Sequence, residues 1–210
     1  MRSHVSIRDM GTGSRAGSVG LVFLLVGQIA LASPAQPSWR GLRVEPPRTI
    51  AAQALLDHEG KATVFPAARA GWQLAFFGYT HCPDVCPITL HKARMLLDNL
   101  GSDASRLQVL FLSIDTTRDD PGQVKQFVTR HDPRIMGLTG DVERIQQVAN
   151  SFGVLTRRFQ GKTALAYTLE HSSFLYLIDP QGRVRMMYPA TADFQDIATD
   201  LRQFWQAAAR

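Results

Sequence analysis

Short apolar runs alternate with longer amphipathic stretches along most of the chain. Three of these runs, Trp72–Tyr79, Leu107–Ile114 and Phe174–Ile178, are rich in aliphatic and aromatic residues over the length of a strand, so they predict buried strands. The polar turns Asp57–Lys61 and Asp179–Gly182 each lie between apolar runs and predict two hairpins.

Helical periodicity fills the intervals between these strands. Helices are predicted from about residue 87 to residue 100 and at residues 121–131, 141–152 and 193–208. Pro87 suits a first helical turn because its missing N–H has no partner there, and Gly101 is a suitable C-cap. The order of elements predicts an α/β fold with a mixed central sheet and helices on both faces, compatible with a thioredoxin-like fold.

Residues 1–32 have a different pattern. Three arginines precede the apolar run Val19–Ala32, which ends in an Ala-Leu-Ala sequence before a serine. Because a spanning helix needs about 20 apolar residues, we expect a cleaved signal peptide, with a retained N-terminal membrane anchor as the alternative. The protein is then exported, and is either periplasmic or anchored to the outer face of the cytoplasmic membrane. Four prolines in residues 33–48 predict a linker, which leaves residues 49–210 as one domain.

Composition and charge exclude several classes of protein. With 45% hydrophobic and 20% charged residues, the chain is neither largely disordered, nor collagen-like, nor a multi-span membrane protein. The formal net charge is +5, but the basic residues are scattered, so no nucleic-acid partner is expected. Two cysteines are too few for a disulfide-rich mini-protein or a self-contained four-cysteine zinc site.

The two cysteines carry the candidate chemistry. Cys82 and Cys86 are separated by three residues, so in a helix they share one face, with their Cβ atoms about 5–6 Å apart. Two sulfurs so placed can bind one soft metal ion, whereas a disulfide requires a distorted turn. A helix start favours thiolate over thiol. A redox pair of the common type has two intervening residues, so the extra residue favours metal binding over an oxidoreductase.

Two thiolates complete neither a tetrahedral zinc site nor a copper site, so a histidine is the expected further ligand. The other histidines have other expected roles. His58 is predicted to be a solvated residue of a polar turn; the rest are His4 in the export segment, His81 beside the first cysteine, His91 off the cysteine face and His131 at a helix end. His171, predicted to open the strand Phe174–Ile178, is a candidate third ligand, although spacing alone does not select it.

The segment Gly78–Pro87, which reads Gly-Tyr-Thr-His-Cys-Pro-Asp-Val-Cys-Pro, resembles the signature of the Sco/SenC family of copper-binding proteins. Weaker matches follow in order at Ser113–Pro121, Gly137–Gly140, Tyr167–Ser172 and Tyr176–Gly182. The resemblance covers roughly residues 45–208 and implies a thioredoxin-like domain outside the cytoplasmic membrane. It also implies that Cys82, Cys86 and His171 bind copper.

The same resemblance implies delivery of copper to cytochrome c oxidase, chiefly to its binuclear site. The expected partners are oxidase subunit II and other periplasmic copper carriers. The chain departs from the family pattern at Glu170, where the family usually has Asp, and at Thr116, where Pro is common. A third departure is the short and basic stretch Arg157–Lys162, in the loop expected to face the partner.

Other functions of the cysteine pair remain as alternative hypotheses. A thiol–disulfide oxidoreductase that reduces the copper-ligand cysteines of oxidase subunit II needs Cys82 and Cys86 as catalytic residues but does not need His171. A peroxidase is disfavoured because it normally uses one attacking cysteine. A structural disulfide closes too short a loop to stabilise the fold much. Asp84 either steers a ligand or partner or satisfies the N–H groups of the helix start.

Overall fold

The computed structural model describes residues 38–67, 71–163 and 166–208 of the chain. Its strands are β1 (Leu42–Thr49), β2 (Gln53–Asp57), β3 (Ala62–Phe65), β4 (Trp72–Gly78), β5 (Leu107–Ser113), β6 (Met136–Thr139), β7 (Thr156–Gln160), β8 (Tyr167–His171), β9 (Phe174–Ile178) and β10 (Arg183–Pro189). Its helices are α1 (Val85–Leu100), α2 (Pro121–His131), α3 (Val142–Ser151) and α4 (Phe194–Ala208). The predicted elements from residue 53 onward are thus present, and the short apolar piece before α3 is strand β6.

Within the described ranges, the main sheet has eight strands in the order β1-β10-β9-β4-β5-β6-β2-β3. Strand β4 lies in the middle, parallel to β5 and antiparallel to β9, so the sheet is mixed. Successive residues of β4 point to opposite faces: Leu74 and Phe76 belong to one hydrophobic cluster, and Ala75 and Phe77 to the other. Burial on both faces explains why this strand is continuously apolar in the sequence.

Helices cover both faces of the sheet. Helices α1 and α4 pack on the face that carries Leu74, and α2 adds Val124 and Val128 to the same cluster. Helix α3 contributes Ile145 to the cluster on the opposite face. The predicted α/β class, with a mixed sheet between layers of helices, is confirmed.

The predicted linker is wrong at its C-terminal end. Residues 42–49 form β1, which pairs antiparallel with β10 at the edge of the sheet. The two prolines of β1 lie between Arg43 and Arg48, where the register with β10 shifts, so their missing N–H groups interrupt the ladder only at an irregularity. Upstream of β1, Trp39 stacks on Phe204 of α4, with 4.4 Å between ring centroids. The folded domain therefore begins before residue 49.

The predicted export segment, residues 1–32, lies outside the described residues, as do residues 33–37 of the predicted linker. In the part of the chain that the structure describes, no helix is both long enough and apolar enough to cross a membrane.

Strands β7 and β8 form a two-stranded ribbon that the sequence pattern did not predict. Every residue of β7 is exposed, and its Thr-Arg-Arg-Phe-Gln sequence has no alternating apolar pattern to indicate a strand. His171 is the last residue of β8 and does not open β9 as predicted. It pairs with Thr156 at the open end of the ribbon.

Candidate metal centre

The cysteine segment connects the central strand to the first helix. Strand β4 ends at Gly78, the chain turns, and α1 begins at Val85. Cys82 therefore precedes the helix, with its N–H donating to the Tyr79 carbonyl at 3.1 Å, and Cys86 is the second helical residue. The two cysteines therefore do not share a helical face, an arrangement that would require both of them to lie in the helix. Proline disfavours helical geometry in the residue before it, and Pro83 follows Cys82 directly.

Both cysteine side chains are free thiols in a largely buried position. Cys82 is 8% exposed and Cys86 is 1% exposed. Cys86 reaches the end of β4 because Gly78 has no side chain. A Cβ atom at Gly78 would lie 2.5 Å from the Cys86 Sγ and 2.9 Å from the Phe111 ring. Glycine at this position is thus a steric requirement for the position of Cys86.

The two thiols differ in acidity. The Cys86 thiol donates a hydrogen bond to Cys82, and this bond is the main reason that the pKa of Cys82 is lowered to about 4. Burial acts in the opposite direction and raises it. The backbone N–H groups of Asp84 and Cys86, at the start of α1, stabilise the same thiolate. The hydrogen bond to Cys82, together with burial, raises the pKa of Cys86. The pair therefore holds one thiolate and one thiol.

His171 completes a group of three potential ligands. Its Nε2 lies 4.0 Å from the Cys86 Sγ, although the two residues are 85 positions apart. The ligand atoms of Cys82, Cys86 and His171 all lie within 4.8 Å of one another. The His171 Nδ1 lies 3.2 Å from the Ser172 carbonyl oxygen, which can only accept a hydrogen bond. In the tautomer that donates from Nδ1 to this carbonyl, Nε2 carries the lone pair that can bind a metal ion beside the sulfurs.

The remaining described histidines lie outside this group. The His81 ring turns away towards Thr80, whose Oγ1 is 3.0 Å from Nδ1. His91 is exposed on α1. His131 packs edge-on against Phe127 of α2. The prediction of a solvated His58 is wrong, because its Nδ1 accepts a 2.9 Å hydrogen bond from the Gly137 N–H and so joins the turn after β2 to β6.

A buried carboxylate supports the turn that carries Cys82. Asp119 accepts hydrogen bonds from the Thr80 N–H at 2.8 Å, the Thr80 hydroxyl at 2.6 Å and the Ser113 hydroxyl at 2.6 Å. These bonds tie the residue two positions before Cys82 to the end of β5. The sequence marked Asp119 only as part of a family-like loop, because a buried acceptor role depends on contacts distant along the chain.

Neither of the two acidic residues beside the site, Asp84 and Glu170, adds its carboxylate to the group of three ligands. Asp84 occupies the N-cap position of α1, but its side chain makes no capping hydrogen bond, so the predicted capping alternative is wrong. Glu170 is exposed and lies opposite Arg157 in the ribbon. Two cysteine sulfurs, bound as thiolates, and an imidazole nitrogen form a donor set that suits soft and borderline metal ions.

Comparison with known proteins gives one consistent family. A sequence model of the SCO1/SenC family matches residues 44–206. The bovine protein described as "Protein SCO2 homolog, mitochondrial" is 32% identical over 156 residues, or 73% of this chain and 59% of that protein. Its human counterpart is 31% identical over 155 residues, or 73% of this chain and 58% of the human protein. The chain thus spans less than two thirds of the length of these relatives.

Solved structures of Sco proteins are also similar to this chain. Copper-bound ScoI of Bradyrhizobium japonicum is 34% identical, with a TM-score of 0.68 over 74% of this chain and 98% of that chain. Yeast Sco1 with copper bound is 26% identical, with a TM-score of 0.69 over 76% of this chain and 90% of that chain. The thioredoxin-like fold predicted from the sequence is confirmed by these similarities.

Proposed function

Because the chain belongs to the SCO1/SenC family, we propose that it carries copper for the assembly of cytochrome c oxidase. Cys82, Cys86 and His171 are the proposed ligands. The observation that supports this most strongly is their convergence: three residues from the turn after β4, the start of α1 and the end of β8 have ligand atoms within 4.8 Å of one another.

The donor set fits copper in both common oxidation states. Thiolate sulfur prefers the soft Cu(I) ion, and a neutral imidazole nitrogen adds a borderline donor that also suits Cu(II). The His171 tautomer that donates from Nδ1 to the Ser172 carbonyl is the one that a ligand needs at Nε2. Relatives described as copper-bound Sco proteins have the same fold.

The site also has features suited to a carrier that releases its metal. Three protein ligands are few enough to let a partner's ligand enter. Cys82 retains some exposure, and His171 lies on an exposed two-stranded ribbon, so the site is open on one side. The proposed recipient is the binuclear copper site of oxidase subunit II, and the proposed sources are other periplasmic copper carriers.

The proposed location follows from the proposed role. Residues 1–32 have the basic and apolar pattern of an export signal, which fits a role outside the cytoplasmic membrane. We infer an exported protein that is either periplasmic or held at the outer face of the membrane by its N-terminal segment.

A second function, reduction of the recipient's cysteines, is favoured by the acidity of the pair. A Cys82 thiolate beside a buried Cys86 thiol is a nucleophile with a resolving partner. Cys82 Sγ attacks one sulfur of a subunit II disulfide to form a mixed disulfide. The Cys86 Sγ then attacks the Cys82 Sγ and displaces the partner's sulfur from the mixed disulfide. This leaves a Cys82–Cys86 disulfide and two reduced partner thiols. Two electrons pass from this chain to the partner. The Cys86 thiol supplies one proton, and water supplies the second proton that gives two partner thiols.

One transfer experiment distinguishes the two functions. The purified chain is loaded with copper and mixed with the copper-free, fully reduced soluble domain of oxidase subunit II. Copper carriage predicts that the binuclear absorption spectrum appears in the recipient and that the chain loses its metal. In a parallel reaction, the metal-free reduced chain is mixed with the oxidised recipient, and the recipient's free thiols are counted.

The His171→Ala variant is the matched comparison in both reactions. Carriage predicts that the variant transfers less copper, because one ligand is lost, whereas reduction does not use the imidazole. A chain that reduces the recipient but transfers no copper contradicts the carrier proposal and supports the reductase.

A further inference from the structure

The position of His171 depends on contacts outside the main sheet. Within the described ranges, β7 and β8 pair only with each other, so no ladder of hydrogen bonds joins the ribbon to β4 or β5. At the His171 end, Ser172 exchanges two hydrogen bonds of 3.2 Å with the backbone of Leu155, which closes the ribbon upon itself. The Ala190 N–H donates to the carbonyl of Ser173, two residues after the ribbon ends, and so ties the chain beyond His171 to the end of β10.

The first residue of β8 is held by a compact polar cluster. The Arg118 guanidinium donates to the Tyr167 carbonyl at 3.0 Å and lies over the Tyr167 ring, 3.6 Å from its centroid. The same guanidinium bonds to the Asp115 carboxylate, with Nε–Oδ2 at 2.6 Å. The Tyr167 hydroxyl also donates to Asp115, so the three residues form a closed set. The Arg118 and Asp115 side chains are only 9% and 2% exposed.

Arg118 also lies beside Tyr79, whose ring stands between the arginine and the metal ligands. Its guanidinium carbon is 5.7 Å from the Tyr79 ring centroid. The Tyr79 ring in turn meets the His171 ring edge-on, with 6.3 Å between centroids. The Tyr79 backbone N–H hydrogen-bonds to the Cys86 sulfur. Arg118 therefore contacts both the ribbon that carries the histidine and the strand end that holds the cysteines.

We propose that Arg118 is a positioning residue that holds β8 against the domain and thereby keeps the His171 Nε2 at the cysteine pair. The inference rests on the proposed copper site and deepens it. Since the imidazole matters most for Cu(II), Arg118 controls the affinity for Cu(II) and leaves the binding of Cu(I) by the two sulfurs almost unchanged.

Arginine suits this role for a geometric reason. Its planar fork of five N–H donors can bond a carboxylate and a carbonyl at once while its face stacks on an aromatic ring. Lysine supplies a charge for Asp115 but cannot stack or bond in two directions with fixed geometry. Replacement by an uncharged residue leaves the Asp115 carboxylate buried without that cation, which loosens the cluster at its centre.

The test measures Cu(I) and Cu(II) affinity of the full chain by competition with chelators of known affinity. Arg118→Gln is expected to lower Cu(II) affinity by about 10–100-fold, as outer partners of ligands typically do, and to change Cu(I) affinity by less than about threefold. The Cu(II) thiolate charge-transfer band should shift towards that of His171→Ala. Arg118→Lys should give a smaller loss, and it replaces Arg118→Gln if that variant does not fold.

A double-variant cycle separates positioning from a general structural effect. In a His171→Ala background, Arg118→Gln should cause no further loss of Cu(II) affinity, because its effect acts through the imidazole. Arg134→Gln is the matched control. Arg134 also bonds a buried aspartate, Asp132, but it lies beside the start of β5 and not the end. It should leave both copper affinities unchanged.

A metal-free measurement keeps the inference separate from the proposed function. Amide hydrogen exchange in Thr168–Ser172 should be faster in Arg118→Gln than in the parent and in Arg134→Gln. Unchanged exchange overturns the positioning role whatever the protein binds. Equal losses for Cu(I) and Cu(II), or a loss that persists in the His171→Ala background, also overturn it. A parent chain that binds no copper instead contradicts the proposed function, and the exchange result then decides the positioning role alone.

Discussion

The two sides of the metal centre are built in different ways. The cysteine side belongs to the core: Cys86 is 1% exposed, packs at the end of the central strand and occupies the first turn of α1. The histidine side is a ribbon outside the main sheet, and every residue of its outer strand is exposed. The cysteines are thus fixed by local chain geometry and core packing, whereas His171 is placed by a few contacts distant along the chain.

This difference has a functional consequence. The sulfurs are held by core packing, so we expect them to supply the stable part of the affinity. The imidazole is held by fewer contacts, those of Arg118 among them, so we expect its contribution to be the more easily changed. A core-embedded thiol pair opposite a histidine on a separate ribbon is an arrangement suited to binding and releasing one ion.

Loss of a core sulfur should have the largest effect on metal binding. Cys86→Ser should lower Cu(I) affinity by more than about 100-fold, beyond the range typical of outer partners of ligands, because an oxygen replaces a soft donor. Competition with a Cu(I) chelator measures the change. His91→Ala, an exposed residue on the same helix, is the control and should bind normally. Retention of parent-like Cu(I) affinity by Cys86→Ser would show that the cysteine side is not the stable part.

A single added methyl group tests how tightly the cysteine side is packed. Gly78→Ala should lower the free energy of unfolding by about 1–3 kcal/mol, because its Cβ would lie 2.5 Å from the Cys86 Sγ. Urea titration of the metal-free protein measures this. Gly122→Ala is the matched control, since its Cβ approaches only the Asp120 carboxylate, at 3.3 Å. Equal stability of the two variants would mean that Cys86 can shift freely.

The unequal acidity of the thiols predicts an unusual pH dependence of alkylation. With its pKa lowered to about 4, Cys82 is already a thiolate at neutral pH, so its rate of reaction with iodoacetamide should stay nearly constant from about pH 8 to pH 6. An ordinary thiol slows about tenfold per pH unit below its pKa of about 8.5. Cys86 should react slowly throughout this range. In Cys86→Ala, the alkylation rate of Cys82 should again fall with decreasing pH as it does for an ordinary thiol, since the hydrogen-bond donor is gone. If the Cys82 rate in the parent falls about tenfold per pH unit, as for an ordinary thiol, the lowered pKa of Cys82 is contradicted.

The smallest effect is expected at the helix start. Asp84→Ala should change the free energy of unfolding by less than about 0.5 kcal/mol, because the side chain makes no capping bond. Asp120→Ala at the start of α2 should cost about 1 kcal/mol, since Asp120 accepts from the Gln123 N–H at 2.8 Å. Thermal unfolding of both variants gives the comparison. A larger loss for Asp84 would mean that its carboxylate supports the cysteine turn.

The sequence predicted the cysteine side better than the histidine side. Strand β4, helix α1 and the cysteine spacing are local, and apolar runs with a proline and a glycine at the helix ends indicate them directly. The i,i+4 arrangement, which holds only in a helix, does not form, because Pro83 keeps Cys82 in the turn before α1. The resemblance to a family, and not spacing, selected His171, since no local pattern brings together residues 85 positions apart.

The ribbon and the edge strand were missed for related reasons. The exposed strand β7 buries no apolar face, so it has no alternation to detect. Strand β1 contains two prolines, which indicate a linker unless the strand is at an edge with a shifted register. The contacts of Arg118, Asp115 and Asp119 join segments that are adjacent only after folding, so residue type alone could not assign their roles.

The most direct test of the account is a titration of the parent and of His171→Ala with Cu(I) and with Cu(II). The account predicts one copper per parent chain in either oxidation state. It predicts that His171→Ala keeps Cu(I) affinity within about threefold and loses at least about 10-fold in Cu(II) affinity, together with a change in the Cu(II) thiolate charge-transfer band. If His171→Ala binds Cu(II) as tightly as the parent, with the same spectrum, the histidine is not a ligand and the three-residue centre is wrong.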